Sequence, residues 1–228
     1  MTETSFDLSD KALAAQIPQR HSVRSFTDRP IEGEVRAALE RFIAACNDAS
    51  GLSLQLITDE PGAFSGMMAR YGNFSNVRNY IACIGPNSKA LDETVGFWGE
   101  RCVLAAQALG LNSCWVALTY SKGKVRAATG VGQKLACVIA LGYGVTAGQP
   151  HKIKAPEQVV RNGAGAPAWF ADGVRAALLA PTAMNQQKFT IDYDGGRVLI
   201  RSLGGPYSAM DLGIVKTHFE LGAGVKVA

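Results

Sequence analysis

The chain has 228 residues, 47% of them hydrophobic and 18% charged, and its 23 basic against 19 acidic residues leave a formal charge of +4. That balance supports a sizeable core, argues against disorder, and leaves no Lys/Arg run able to make a nucleic-acid footprint. No apolar run approaches the roughly 20 residues of a membrane-spanning helix, and the acidic, polar start is unlike a signal peptide, so a soluble cytoplasmic protein of one large or two small domains is expected.

A weakly amphipathic helix is predicted over residues 8–17, ahead of Pro18. Arg20-His21-Ser22-Val23-Arg24-Ser25-Phe26 then favours extended backbone, in which alternate side chains share a face. Arg20, Ser22 and Arg24 would project together, and two guanidinium forks with a hydroxyl suit a phosphate beside a polar ring edge. A solvated basic loop is the alternative. A helix follows from Pro30-Ile31 to about Asp48, with Val35, Leu39, Phe42, Ile43 and Cys46 as its apolar stripe. Residues 52–58 alternate like a strand, 64–71 read as a short helix, and 79–84 as a buried strand. A long helix spans 88–109 and stops at Gly110. Residues 113–118 form a strand, 122–129 a short basic helix, and 134–143 an apolar central strand.

The stretch 144–161 is irregular and carries His151, Lys152 and Lys154. A helix at 169–180, a hairpin of 188–193 and 197–201 around Asp194-Gly195-Gly196, and a last helix at 207–221 complete the chain. Helices and strands interleave without a strict βαβ rhythm, so the fold class is α+β. Two parts are expected, 1–160 and 161–228, joined through the connector Gly163-Ala164-Gly165-Ala166-Pro167, which lacks the context of a dinucleotide fingerprint. The helix–corner–strand plan of 42–59 recurs at 177–194, each followed later by an apolar helix bearing an acidic residue and glycine: Asp92 with Gly96 and Gly99, then Asp211 with Gly213.

Five scattered cysteines show no metal-ligand spacing and read as buried thiols; nothing forms a Ser-His-Asp order or a carboxylate pair for hydrolysis. His218, on the last helix, reads as a packed core residue. Pro181-Thr182-Ala183-Met184-Asn185-Gln186-Gln187 clusters uncharged groups that both donate and accept, as a heteroaromatic edge and a polyol require, unless they only satisfy their own turn.

Taken together these motifs resemble the nitroreductase-like FMN-dependent oxidoreductases, in particular a small branch whose P-[ST]-x-x-N-x-Q motif lies in the C-terminal part. The resemblance rests on Arg20, Ser22 and Arg24; on Ala180, Pro181, Thr182, Asn185 and Gln187; on Gly110-Leu111-Asn112-Ser113-Cys114-Trp115; and on Ala140–Tyr143 followed by Lys152, Lys154 and Pro156. It implies a nitroreductase-like α+β fold with a central mixed or antiparallel sheet flanked by helices. It also implies FMN bound by Arg20, His21, Ser22 and Arg24, with the phosphate gripped by Arg20 and by Lys152 or Lys154. Pro181, Thr182 and Asn185 would approach the ring or ribityl chain, the backbone from Trp115 to Ala117 the N5/O4 edge, and Asn73 the ring.

No side chain need be catalytic, because flavin N5 would carry hydride from NADH or NADPH to a nitroaromatic, a quinone or a similar small aromatic acceptor. A flavin-binding sensor or carrier without turnover, and a flavin-free binder of another phosphorylated ligand, are the alternatives. The early corner at 49–55 lacks the Pro and Asn of the motif. One chain would then imitate a dimer, as a monomeric pseudo-dimer with one FMN, or two chains would pair as a homodimer.

Overall fold

The computed structural model describes residues 6–227. Its elements in chain order are α1 (Asp10–Gln16), α2 (Gly33–Ser50), β1 (Gln55–Ile57), α3 (Met67–Tyr71), β2 (Asn79–Pro86), α4 (Leu91–Ala108), β3 (Asn112–Val116), β4 (Gln133–Gly142), β5 (Val160–Asn162), α5 (Ala168–Leu178), β6 (Phe189–Asp194), β7 (Arg197–Ser202) and α6 (Ser208–Ala223). Four strands make an antiparallel sheet in the order β1-β2-β4-β3. A second sheet of three runs β5-β6-β7, with β5 parallel to β6 and β6 antiparallel to β7. The architecture is the α+β arrangement of antiparallel sheet and flanking helices expected from the sequence.

β2 and β4 are buried along almost their whole length, as their unbroken apolar runs require of central strands. One hydrophobic core takes Leu39 and Ile43 of α2, Val95 and Val103 of α4, Ile139 of β4, Val174 of α5, Ile191 of β6 and Phe219 of α6, so both parts of the chain bury their apolar surface together. All five cysteines are free and buried, with Cys83 and Cys137 directly opposite on β2 and β4.

The two parts repeat one order of elements: α2, β1, β2, α4 in the first and α5, β6, β7, α6 in the second, with α3 inserted between β1 and β2. The repeat extends to atomic contacts where α4 meets α6. A Cβ on Gly96 would collide with the Met210 carbonyl, and one on Gly213 would collide with the Glu93 carbonyl. Each glycine lies one helical turn beyond the residue whose carbonyl the other touches, which is the reciprocity of a two-fold interface, here within one chain. Only glycine permits this approach of two backbones.

Three local expectations are corrected. The basic helix at 122–129 is a single 3-10 turn, Lys122–Lys124, followed by extended chain. Arg126 N–H donates to the Tyr80 hydroxyl, and the Gln55 amide takes both Ala128 N–H and Ala128 carbonyl, so side chains of the sheet claim the backbone groups a helix would need. The helix at 64–71 is a 3-10 turn, Gly62–Phe64, and then α3; Glu60 caps the turn through Gly62 and Ala63 N–H. β5, which starts at the end of the stretch 144–161 expected to be irregular, has three residues and no periodicity to reveal it.

Candidate functional site

The segment after α1 does not turn extended until Arg20 has passed. Arg20 N–H still bonds the Gln16 carbonyl, as the last link of a helical end. From Ser22 the chain is pinned to the start of β3, with Val23 N–H donating to the Ser113 carbonyl at 2.9 Å and Ser22 bridging Ser113. Ser22 and Arg24 therefore face one way, whereas Arg20 leaves the run at a different angle and is 3% exposed.

Ser22 and Arg24 form one wall of a cleft of about 690 Å³. β3 and its continuation, Cys114 to Leu118, form the floor. The opposite wall comes from the second part: Pro181 to Asn185, then Tyr207, Met210, Asp211 and Ile214 at the start of α6. Gly148, Gln149 and His151 close one end. The volume lies inside the range of roughly 300–1,000 Å³ usual for small-molecule sites, and the mixture of apolar surface with a few polar groups is typical of them.

The opposite wall is conformationally unusual. Met184, Asn185, Gln187 and Tyr207 all hold positive φ, at 52°, 53°, 44° and 59°, although none is glycine. Such residues cost energy and persist only where their surroundings over-determine them. Here the surroundings are specific. Asp211 accepts Ala183 N–H at 2.8 Å and Gln186 Nε2–H at 2.6 Å. Thr182 Oγ1 accepts Gln187 N–H at 3.0 Å, and Asn185 and Gln187 amides both donate to the Lys152 carbonyl at 2.8 Å. Burial pushes the Asp211 carboxyl above its usual range, and its two hydrogen bonds oppose that shift without cancelling it.

The cations are distributed otherwise than the sequence suggests. Of Arg20, His21, Lys152, Lys154 and Arg24, only Arg24 lines the cleft. His21 packs against Gly148, leaving no room there for a Cβ. Lys152 is exposed, and the Lys154 ammonium donates to the Gln187 carbonyl at 2.7 Å, so the basic loop braces the polar turn. Ser22, Arg24, Trp115, Pro181, Thr182 and Asn185 are brought together in one lining. Asn73, at φ 58°, follows the end of α3 and is not in the lining.

Arg20 stands behind the cleft. Its Nε lies 3.7 Å from Glu100 Oε1 and has no hydrogen-bond partner among the described residues. Glu100 also accepts the Trp115 indole N–H at 2.7 Å, fixing a side chain of the cleft floor. The charge of Arg20 reaches the cleft, where it helps hold His151 below its usual range; burial is the larger cause, and the bond from His151 to the Leu178 carbonyl opposes both. In Cys114, burial outweighs Arg20 and Arg24 and raises the thiol, so it is no ready nucleophile.

The geometry thus has a front wall carrying Arg24, a polar back wall braced by Asp211 and an apolar floor, all from one chain. The family model described as "Putative TM nitroreductase" matches residues 12–223. The chain belongs to this nitroreductase family.

Solved structures agree on the fold. A "putative nitroreductase" of Thermotoga maritima is 23% identical, with 97% of this chain and 88% of that one covered at a TM-score of 0.67. A "putative nitroreductase" of Desulfovibrio desulfuricans, solved in complex with FMN, is 21% identical, with 64% of this chain and 94% of that one covered at 0.51. A "Putative NADH dehydrogenase/NAD(P)H nitroreductase" of Parabacteroides distasonis is 23% identical, with 66% of this chain and 98% of that one covered at 0.50. Nearly the whole of the last two corresponds to two thirds of this nitroreductase-family chain, whereas the Thermotoga fold corresponds to almost all of it. No curated protein matches the sequence. No helix among the described residues is long and apolar enough to cross a membrane.

Sequence reasoning missed Tyr207, Met210 and Ile214 as lining residues, and read Asp211 only as an echo of Asp92. An acidic residue in the first turn of an apolar helix was the available signal, but its partners lie 25 and 28 residues away and no spacing rule reaches them.

Proposed function

We propose that the protein is an FMN-dependent oxidoreductase that passes reducing equivalents from NADH or NADPH to a small planar acceptor, a nitroaromatic or a quinone. The observation that carries this reading is the buried Arg20, whose Nε has no hydrogen-bond partner among the described residues, behind a cleft with Arg24 on one wall and the Pro181–Asn185 turn on the other. A guanidinium removed from water is retained where an anion can meet it, and a phosphate is the anion Arg recognises best. The residues present fit the flavin: Val116, Ala117, Met210 and Ile214 offer apolar contact to a ring system, and Ser22, Arg24 and Thr182 offer donors and acceptors to its edge and to a polyol chain. FMN, when bound there, would supply the redox chemistry.

The chain's own residues bind and orient. Arg24, the one Lys or Arg among the described residues that line the cleft, would favour negative charge developing on a reduced ring. Leu118 and Met184, both largely exposed at the mouth, would give an aromatic acceptor apolar surface to stack on. Both walls come from one polypeptide, which supports a pseudo-dimeric monomer holding one FMN, with residues 161–228 completing a site begun by 1–160. Five free thiols support a reducing, cytoplasmic setting.

The test is anaerobic. Purified protein loaded with FMN should lose its yellow colour on addition of NADH or NADPH and regain it with a nitroaromatic or quinone. Yellow protein that fails to bleach with either nicotinamide would be a sensor or carrier. Protein that takes up no FMN would refute the flavin reading.

A further inference from the structure

Three ionisable side chains on different elements meet, almost wholly shut off from solvent. Arg20, from the segment after α1, is 3% exposed, and Glu100 of α4 and His218 of α6 are both 0% exposed. His218 Nε2 is 2.8 Å from Glu100 Oε1, and His218 Nδ1 is 3.0 Å from the Ala176 carbonyl of α5.

Hydrogen counting constrains this group. A carbonyl oxygen only accepts, so Nδ1 must carry a hydrogen. The contact between Nε2 and Oε1 then requires a second hydrogen, on the imidazole or on the carboxyl. With it on nitrogen, imidazolium and carboxylate cancel; with it on oxygen, both groups are neutral. Either way the Glu100–His218 pair has no net charge to set against Arg20, whose Nε stands 3.7 Å from Oε1 without a hydrogen-bond partner among the described residues.

The surrounding ion pairs are self-contained. Glu93 holds Lys216, Arg101 holds Asp10, Arg175 holds Asp172, and Glu220 holds Lys226. Asp211 is held by the polar turn. The buried cluster of Arg20, Glu100 and His218 thus carries one net positive charge, and Glu100 ties it to Trp115 of the cleft floor. Burying such a charge is costly, and an anion brought to the cleft relieves the cost.

We propose that Glu100 and His218 are positioning residues that share one proton, leaving the buried Arg20 guanidinium uncompensated so that the wall behind the cleft attracts the anionic group of the cleft's ligand. This deepens and rests on the flavin reading, in which the anion is the FMN phosphate.

Two near-isosteric variants separate charge from packing. In Glu100→Gln the amide donates to a neutral His218 Nε2 and its oxygen accepts from Trp115, so the network and its net charge survive. In His218→Gln the new amide donates to Glu100 but carries no charge, and the Glu100 carboxylate now cancels Arg20. Dissociation constants for FMN and for riboflavin, which lacks the phosphate, are measured by quenching of flavin fluorescence. Glu100→Gln should keep the wild-type preference for FMN over riboflavin. His218→Gln should lose about tenfold of it, the worth of one charge-assisted contact. A purely structural role would weaken both flavins alike in both variants.

Nitrogen NMR of isotope-labelled histidine gives a readout that needs no ligand. The wild-type protein should show a hydrogen shared between Nε2 and Glu100, and Glu100→Gln a bare Nε2 acceptor. The proposal is overturned if Glu100→Gln abolishes the FMN preference, if a folded His218→Gln retains it, or if the wild-type spectrum lacks the shared hydrogen. If His218→Gln does not fold, Glu100→Gln and the spectrum still decide. Wild-type protein that shows the shared hydrogen yet binds neither flavin overturns the flavin reading, and the phosphate assignment with it.

Discussion

Replacing Asp211 tests whether the strained polar turn is held from α6. The carboxylate takes Ala183 N–H at 2.8 Å and Gln186 Nε2–H at 2.6 Å, and Asp211 is 8% exposed, so solvent screens these bonds little. Charge-assisted bonds contribute about 1.5–3 kcal/mol each, or about 3–6 kcal/mol gross for the two. Burial opposes them, since it raises the Asp211 carboxyl above its usual range. A net loss of about 2 kcal/mol is therefore expected for Asp211→Ala.

Asp211→Asn should lose only about 1 kcal/mol, because its oxygen still accepts from Ala183 N–H. Its amide NH₂ then opposes Gln186 Nε2, which cannot turn round without giving up the Pro206 carbonyl at 2.9 Å. Released from Asp211, the left-handed Met184 and Asn185 should relax, and FMN affinity should fall about tenfold as the wall loses its shape. Urea denaturation and flavin fluorescence titration measure the two quantities. Asp211→Ala with wild-type stability and wild-type FMN affinity would show that the turn keeps its form without α6.

Gly96→Ala and Gly213→Ala should each cost roughly 3 kcal/mol, since either Cβ meets a backbone carbonyl of the facing helix; urea midpoints that stay put would remove the reciprocal packing of α4 and α6. His151, held below its ordinary value of 6.5 mainly by burial, adds stability that is present above that value and is lost as pH falls through the lower folded one. His151→Gln should therefore flatten the fall in melting temperature on acidification from about pH 7 to about pH 5, and an unchanged slope would contradict the shift. Arg24→Gln should weaken FMN about tenfold while leaving the urea midpoint unchanged, because Arg24 is exposed in the cleft wall; titration and denaturation run side by side check both.

What local pattern can express was readable without coordinates. The apolar stripe of α2, the buried runs of β2 and β4, the Gly195-Gly196 hairpin and the recurrence of helix, corner and strand all follow from spacings within a dozen or so residues. So did the pairing of Ser22 and Arg24 with the Pro181–Asn185 turn in one lining, which rests on a family resemblance spread over the chain. The basic helix at 122–129 failed because Tyr80 and Gln55, remote in sequence, claim its backbone groups.

Composition, element order and the chemistry at each end of the cleft belong to the amino-acid sequence, because propensity and periodicity act between near neighbours. Which cation faces the cleft and which is shut behind it was decided by tertiary structure. Arg20 and Arg24 are the same residue type four positions apart, yet a helical end turns one inward to Glu100 and His218 while a bridge to β3 turns the other outward. Burial and hydrogen-bond partners drawn from α4, α5 and α6 set what each charge can do, and only the folded chain brings those helices together.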